Sequence, residues 1–317
     1  MLIYERNFAE LKRRIEDLEA FCREHNIDLA SEIKLLRERI KMLEEELYQN
    51  LSAFERVQLA RLLERPGAMD YIQAIFPDFL ELHGDRAYGD DPSIVGGLAT
   101  LEGIPVTVIG NRRGSDTKEN MKYNFGMAHP EGYRKAGRLM QQAEKFGRPV
   151  ITFVDTPGAY PGTGAEERGQ GEAIARNLFI MSGLKVPIIT VIIGQGGSGG
   201  ALALAVADRL LMLENAFFSV ISPEGCASIL FKDPGRAREA AEALKLTAQD
   251  LYELNLIDEV IPEPLGGAHR DKSGMAEKIK ERLIYHLKEL LQKHPEELVN
   301  SRVARYRRVG WGYICES

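Results

Sequence analysis

The stretch VIIGQGGSGGALALAVADR, residues 191–209, sets five glycines among the seven residues 194–200, between an apolar run and a helix-forming run. Ordering a glycine costs more entropy than ordering any other residue, so five together need a physical reason. The residues Gly196-Gly197-Ser198-Gly199-Gly200 satisfy G-x-S-x-G, the nucleophile elbow of a serine hydrolase. They also read as a strand-to-helix turn whose bare backbone N–H groups face an anion. A third reading is that the glycines only let helix and strand pack closely.

Working outward, strands and helices alternate. A helix over residues 132–146 precedes the strand PVITFVD, and a helix over 166–181 precedes VPIITVIIG. A helix over 199–207 leads into RLLMLENAFFSVIS. These strands are continuous apolar runs, which predicts burial on both faces and a mostly parallel sheet in an α/β fold. Glu102-Gly103 reads as a hairpin turn upstream. Two buried strands end in Gly-rich loops, DTPGAYPGTG and GQGGSGG. Ligands of parallel sheets bind at the carboxyl ends of strands, so both loops belong on one rim.

Nearer the N-terminus, Phe8, Leu11, Ile15, Leu18 and Cys22 step by three and four, as do Ile33, Leu36, Ile40, Leu43 and Leu47. That spacing predicts an antiparallel helical hairpin with a structural or oligomeric role. Ser52 and Glu55 form a capping box for a third helix, and another helix is expected over residues 68–82. Beyond the core, Thr247 caps a helix, residues 275–293 form an amphipathic helix, and the tail SRVARYRRVGWGYICES is basic and aromatic, a docking arm or a solvated end. The chain thus divides into three regions: 1–80 helical, 81–265 the core, and 266–317 a C-terminal helix and tail.

Composition narrows the function. The chain has 317 residues, 44% hydrophobic and 28% charged, with net charge −6, which does not suggest a nucleic-acid partner. Three scattered cysteines with no C-x-x-C argue against a zinc ribbon and suit a reducing, cytoplasmic compartment. The charged start MLIYERNFAELKRR lacks a signal-peptide core, and no apolar run approaches the ~20 residues of a membrane helix. DTPG at residues 155–158 resembles a GTPase switch, yet no Gly-Lys pair supplies a phosphate loop. No H-E-x-x-H occurs, so no metal site is indicated. For the hydrolase reading, Asp258 and His269 follow Ser198 in the required order, but both fall on one late segment. The anion reading needs only backbone: two Gly-rich turns that aim N–H groups into one cleft suit a developing oxyanion.

RAYGDDPSIVGGLA (86–99), the long run SDTKENMKYNFGMAHPEGYRKA…DTPGAYPGTGAEERGQGEAIARNL (115–178), IIGQGGSGGALALAVADRLLML (192–213), FSVISPEGCASIL (218–230) and IDEVIPEPLGGAHRD (257–271) together resemble the carboxyltransferase alpha subunits of multi-subunit bacterial and plastid acetyl-CoA carboxylases. The resemblance implies a crotonase-type fold of repeated ββα units. It implies an α2β2 heterotetramer whose beta subunit alone carries a zinc ribbon. It also implies a separate biotin carboxyl carrier protein and biotin carboxylase, with carboxybiotin and acetyl-CoA as substrates and malonyl-CoA as product for fatty acid synthesis. The nearest text to a biotinylation motif, Asn120-Met121-Lys122-Tyr123, departs from A-M-K-M, so no covalently held biotin is expected. On this resemblance the backbone N–H groups of Gly199 and Gly200 bind the biotin ureido oxygen, with Ser198 and Ala201 alongside. By the rim argument, Gly158, Ala159 and Gly197 border the cleft. Lys118, Lys122 and Arg134, with Lys135 and Arg138, are either contacts for CoA phosphates or a solvated helix face.

Overall fold

The computed structural model describes residues 3–25 and 27–310. Two long helices, α1 (Ile3–His25) and α2 (Ala30–Gln49), form the predicted hairpin. Ile15, Cys22, Ile33 and Ile40 make its small core, and Lys12–Glu44 and Arg37–Glu19 tie its outer faces. The alternate stripe positions Leu11, Leu36 and Leu43 stay exposed.

Next come α3 (Ala53–Ala60) and α4 (Ala68–Ile75). The capping box opens α3: Ser52 Oγ accepts from Glu55 N, and Ser52 N donates to the Glu55 carboxylate. The helix expected to reach residue 82 stops at Ile75, and the chain turns into β1 (Leu80–Glu81). Pro77 is the breaker, since it cannot supply the N–H that continuation needs. The strands β2 (Ile94–Leu101) and β3 (Ile104–Asn111) pair antiparallel around Glu102 and Gly103, both with positive φ as a tight hairpin turn requires.

The chain then builds α5 (Thr117–Lys122), α6 (Pro130–Lys145), β4 (Val150–Thr156), α7 (Thr163–Glu167), α8 (Gln170–Gly183), β5 (Ile188–Gly197) and α9 (Ser198–Leu202). It continues through β6 (Arg209–Leu213), β7 (Phe217–Ser219), α10 (Pro223–Leu230), α11 (Ala237–Leu244), α12 (Ala248–Glu253), β8 (Glu259–Ile261), α13 (Lys272–Leu290) and α14 (Pro295–Arg308). The sheet runs β1-β2-β3-β4-β5-β6-β8, and β7 adds beside the end of β5. From β3 onward every ladder is parallel. All residues of β4 and β5 are buried, as their unbroken apolar runs predict.

One core cluster extends from Ala53 to Leu298 and takes in α3, α4 and α13. Packing therefore does not follow the divisions at residues 80 and 266: α3, α4 and α13 belong to the main core, whereas the hairpin has a core of its own. The start of the tail packs on the core through Arg302, Arg305 and Tyr306, and residues 307–310 are exposed. On α14, Arg302 is buried and bonds both carboxylate oxygens of Asp208 and the carbonyls of Met181, Leu184 and Val186. Its last residues, 311–317, with Trp311 and Cys315, lie outside the described residues.

Candidate active site

Parallel register brings the carboxyl ends of β4 and β5 together, with Thr156 opposite Gly196. Both Gly-rich loops therefore share one rim. A Cβ at Gly197 would lie 2.1 Å from the Pro157 carbonyl oxygen, and one at Gly200 would lie 2.5 Å from Gly158 C and 2.6 Å from Ala159 N. These two glycines let the loops touch backbone to backbone.

Gly194 and Gly196 follow the packing alternative. The Asp155 carboxylate fills the space beside Gly194, and Phe217 and Phe218 crowd Gly196. Asp155 Oδ1 accepts the N–H of Gln195 at 3.0 Å, and the buried Arg113 Nε lies 3.0 Å from Oδ2. The rim thus rests on a buried ion pair. A second one stands beside it: Arg65 Nε donates to Ile193 O, and its other nitrogens reach Glu263. Burial alone would raise the Glu263 carboxyl pKa, but Arg65 and Asn215 hold it below the ordinary value.

The helix after β5 is shorter than expected. It ends at Leu202 instead of Ala207, because residues 203–205 continue as turns. So short a helix supports little macrodipole, and its anion-binding capacity rests on individual N–H groups. Gly197 is its cap, so the Gly197 carbonyl takes the first intrahelical bond, from Ala201 N. That leaves the N–H groups of Ser198, Gly199 and Gly200 without intrahelical partners. Ala201, expected alongside the glycine pair, is buried. Ser198 and Gly199 are half-buried at the surface of the rim. Across from them, Gly158 N donates to Thr156 Oγ1 at 3.1 Å, whereas Ala159 N finds no acceptor among the described residues. Of that pair, Ala159 is the available donor.

Ser198 is no nucleophile elbow. Its φ of 51° is the strained form an elbow serine also adopts, but no imidazole bonds its hydroxyl among the described residues. Asp258 precedes β8, level with Leu210, which pairs with Thr190. Ser198 lies eight residues farther along that direction, about 26 Å at ~3.3 Å per residue. Asp258 instead pairs with Arg305. The acid stands at the wrong end of the sheet.

The expected basic stretch divides. Lys118 and Lys122 are exposed on α5, with Lys122 over the Tyr123 ring. Arg134 is committed to structure: Nε donates to Asp85 at 2.8 Å and Nη1 to the Arg168 carbonyl at 3.0 Å. Lys135 is buried on Asp90, and Arg138 bonds Gly84 O and His83 O. Asp85 also accepts from the N–H groups of Ala87, Tyr88 and Gly89. Burial raises its pKa, but these donors together with Arg134 bring it down to about 2. No His/Cys/Asp/Glu group suited to a metal occurs among the described residues.

The profile described as acetyl co-enzyme A carboxylase carboxyltransferase-like matches residues 1–310. The chain belongs to the acetyl-CoA carboxylase carboxyltransferase family. Its relatives include the carboxyl transferase subunit alpha of Halalkalibacterium halodurans, 58% identical over 309 residues, covering 98% of this chain and 95% of that one. The same subunit of Listeria welshimeri is 55% identical, covering 97% and 96%. Among solved structures, a Pseudomonas malonate decarboxylase heterotetramer in complex with coenzyme A superposes with a TM-score of 0.60 at 17% identity, over 78% of this chain and 95% of that one. Transcarboxylase 12S gives 0.55 at 23%, over 69% of this chain and 42% of the longer transcarboxylase chain. The crotonase-like fold is thus common to this carboxyltransferase and to enzymes of distant sequence. The serine hydrolase alternative finds no support in these relatives.

Sequence reasoning missed the Arg113–Asp155 pair and the stack of His129 on Tyr160, 4.2 Å between ring centroids. The D-T-P-G text marked Asp155, but nothing in the sequence tied it to Arg113.

Proposed function

We propose that this chain is the alpha half of a carboxyltransferase that moves a carboxyl group from carboxybiotin, presented by a separate carrier protein, to acetyl-CoA, yielding malonyl-CoA. The observation that carries this reading is the meeting of the two loops at Gly200, with the N–H groups of Gly199 and Gly200 in the first turn of α9, where no intrahelical acceptor is within reach, and that of Ala159 opposite. When the N–CO2 bond of carboxybiotin breaks, negative charge collects on the ureido oxygen. N–H groups of Gly199 and Gly200 stabilise it, and fixed donors in a water-poor site do so without reorganising. The freed ureido nitrogen takes the acetyl α-proton, and the resulting enolate attacks CO2, so no side-chain base is required of this chain. Ser198 contributes backbone rather than hydroxyl. Gly158, Ala159 and Gly197 shape the cleft, and Lys118 and Lys122 are the cations open to CoA phosphates.

The second oxyanion hole, for the thioester enolate, is assigned to a beta subunit in an α2β2 assembly, which also carries the zinc. Biotin carboxylase and the carrier protein complete the system in the cytoplasm. None of the described helices is long and apolar enough to cross a membrane. The test is malonyl-CoA formation by this chain alone and with a beta subunit, using free biotin as surrogate carrier. Turnover is expected only in the mixture; robust turnover by the isolated chain would overturn the reading.

A further inference from the structure

Beside the candidate site the backbone adopts an unfavourable form. Asn124, Phe125 and Gly126 are three consecutive left-handed residues, with φ of 48°, 57° and 80°. Only glycine enters this region without steric penalty, and a bulky residue there is a genuine outlier. Phe125 is nevertheless 46% exposed, so its burial does not explain the conformation. Gly126 fixes where the turn sits: a Cβ there would lie 2.7 Å from the carbonyl oxygen of Asp155, at the root of the Gly158 loop.

Residues just downstream hold the turn in place. Asn124 Nδ2 lies 3.2 Å from His129 Nδ1, and His129 N donates to Asp91 at 2.6 Å. His129 stacks on Tyr160 with the rings 24° apart. Tyr160 N donates to Ala128 O at 3.1 Å, and Gln170 Nε2 donates to the carbonyls of both Ala128 and Tyr160. Tyr160 directly follows Ala159, whose backbone touches Gly200. The His129–Tyr160 stack is therefore braced on the loop that meets Gly200, and the backbone turn that carries Phe125 abuts the root of the same loop.

We infer that Phe125 and the Tyr160–His129 stack form a rigid apolar wall that positions the biotin ring system by its thioether side and side-chain stem while the ureido oxygen meets Gly199 and Gly200. The inference rests on the proposed function. Strained backbone persists where the surroundings over-determine it, and such positions cluster at ligand clamps. The bicycle has one polar edge, and the glycine N–H groups can satisfy only that edge. The remainder is uncharged and largely hydrocarbon, for which a preformed aromatic wall is the matching surface.

The test uses the reconstituted alpha–beta complex in the reverse direction, with malonyl-CoA as carboxyl donor and free biotin as acceptor. Phe125→Gly is the informative variant, because glycine relieves the left-handed strain while deleting the ring. The melting temperature should hold or rise, KM for biotin should rise about tenfold, the cost of one good aromatic contact, and KM for malonyl-CoA should stay within twofold. Tyr160→Ala should act likewise on biotin, and Tyr160→Phe should behave as the parent. An unchanged KM for biotin in both variants, a rise in KM for malonyl-CoA instead, or loss of subunit assembly on gel filtration would each overturn the wall. Absence of transfer in the parent complex would instead defeat the functional reading beneath it.

Discussion

Gly200→Ala is the smallest change that tests the site. The added Cβ would meet Gly158 C at 2.5 Å, Ala159 N at 2.6 Å and Gly158 O at 2.9 Å. All three are backbone atoms, so no side chain can rotate away, and the loop must retreat by roughly 1 Å to restore ordinary contact. Overpacking of this kind costs about 1–3 kcal/mol of stability. The retreat also withdraws Ala159 N and displaces the helix start, and loss of one oxyanion donor lowers turnover by about 10²–10³. Gly199→Ala is the internal control. Its Cβ would meet only Ile174, at 3.6 and 3.7 Å, which is ordinary contact. Alanine keeps the N–H, so stability should stay level or rise by up to ~1 kcal/mol, and turnover should stay within about tenfold. The assay is kcat for malonyl-CoA formation by the reconstituted complex, beside a thermal melt of each variant. Equal losses in both variants, or parent-like turnover in Gly200→Ala, would refute the claim that the loop contact at Gly200 builds the site.

Three other positions give sharp outcomes. Ser198→Ala should keep transfer within about tenfold and lose no more than ~1 kcal/mol of stability, since the cap is Gly197 and alanine bears the left-handed φ only slightly worse than serine; a fluorophosphonate probe should leave the parent unlabelled. Arg65→Met strands the Glu263 carboxylate in the interior, so a denaturant titration should show about 3–5 kcal/mol lost, much of it regained on adding Glu263→Gln. Asp85, whose pKa falls to about 2 from an ordinary 3.8, contributes stability that is fully present above pH 4 and lost as pH falls through 2. Asp85→Asn should therefore be less stable than the parent at pH 7, by about 1–2 kcal/mol, with the gap closing toward pH 2 in urea melts.

Elements with a strong period were legible from sequence. Apolar runs announced β4 and β5 as doubly buried, and Ser52 with Glu55 announced the start of α3. Glu102-Gly103 placed the hairpin turn. The failures have physical causes. The run from 199 to 207 has helix-forming alanines, yet Asn177 and the threonines of β4 and β5 reach the carbonyls of Ala203 and Leu204, and the helix stops at Leu202. The strand drawn through residues 209–222 splits, because the carboxyl end of β5 offers its own edge to Phe217 and its neighbours. At the site, the two glycine loops could be placed on one rim because parallel topology forces it. Which glycines merely make room, Gly194 and Gly196, and which bring the loops together, Gly197 and Gly200, depends on neighbours from other strands and loops that no local pattern announces. The same holds for Arg134: helical spacing put it beside Lys135 and Arg138, but only the fold supplies Asp85 as its partner.

The Arg302 anchor bears on how the chain is made. Five hydrogen bonds from one guanidinium, which is 1% exposed, hold the junction between α8 and β5 and the turn before β6. Those partners are synthesised between 94 and 121 residues earlier, and until Arg302 arrives they hold three carbonyls and a carboxylate in search of donors. A nascent chain can form its hairpin and pair its first strands, but its central sheet stays unsealed until the last helix emerges. A chain terminated before Arg302 therefore leaves without donors the carbonyls that flank the start of the strand leading to Gly199 and Gly200.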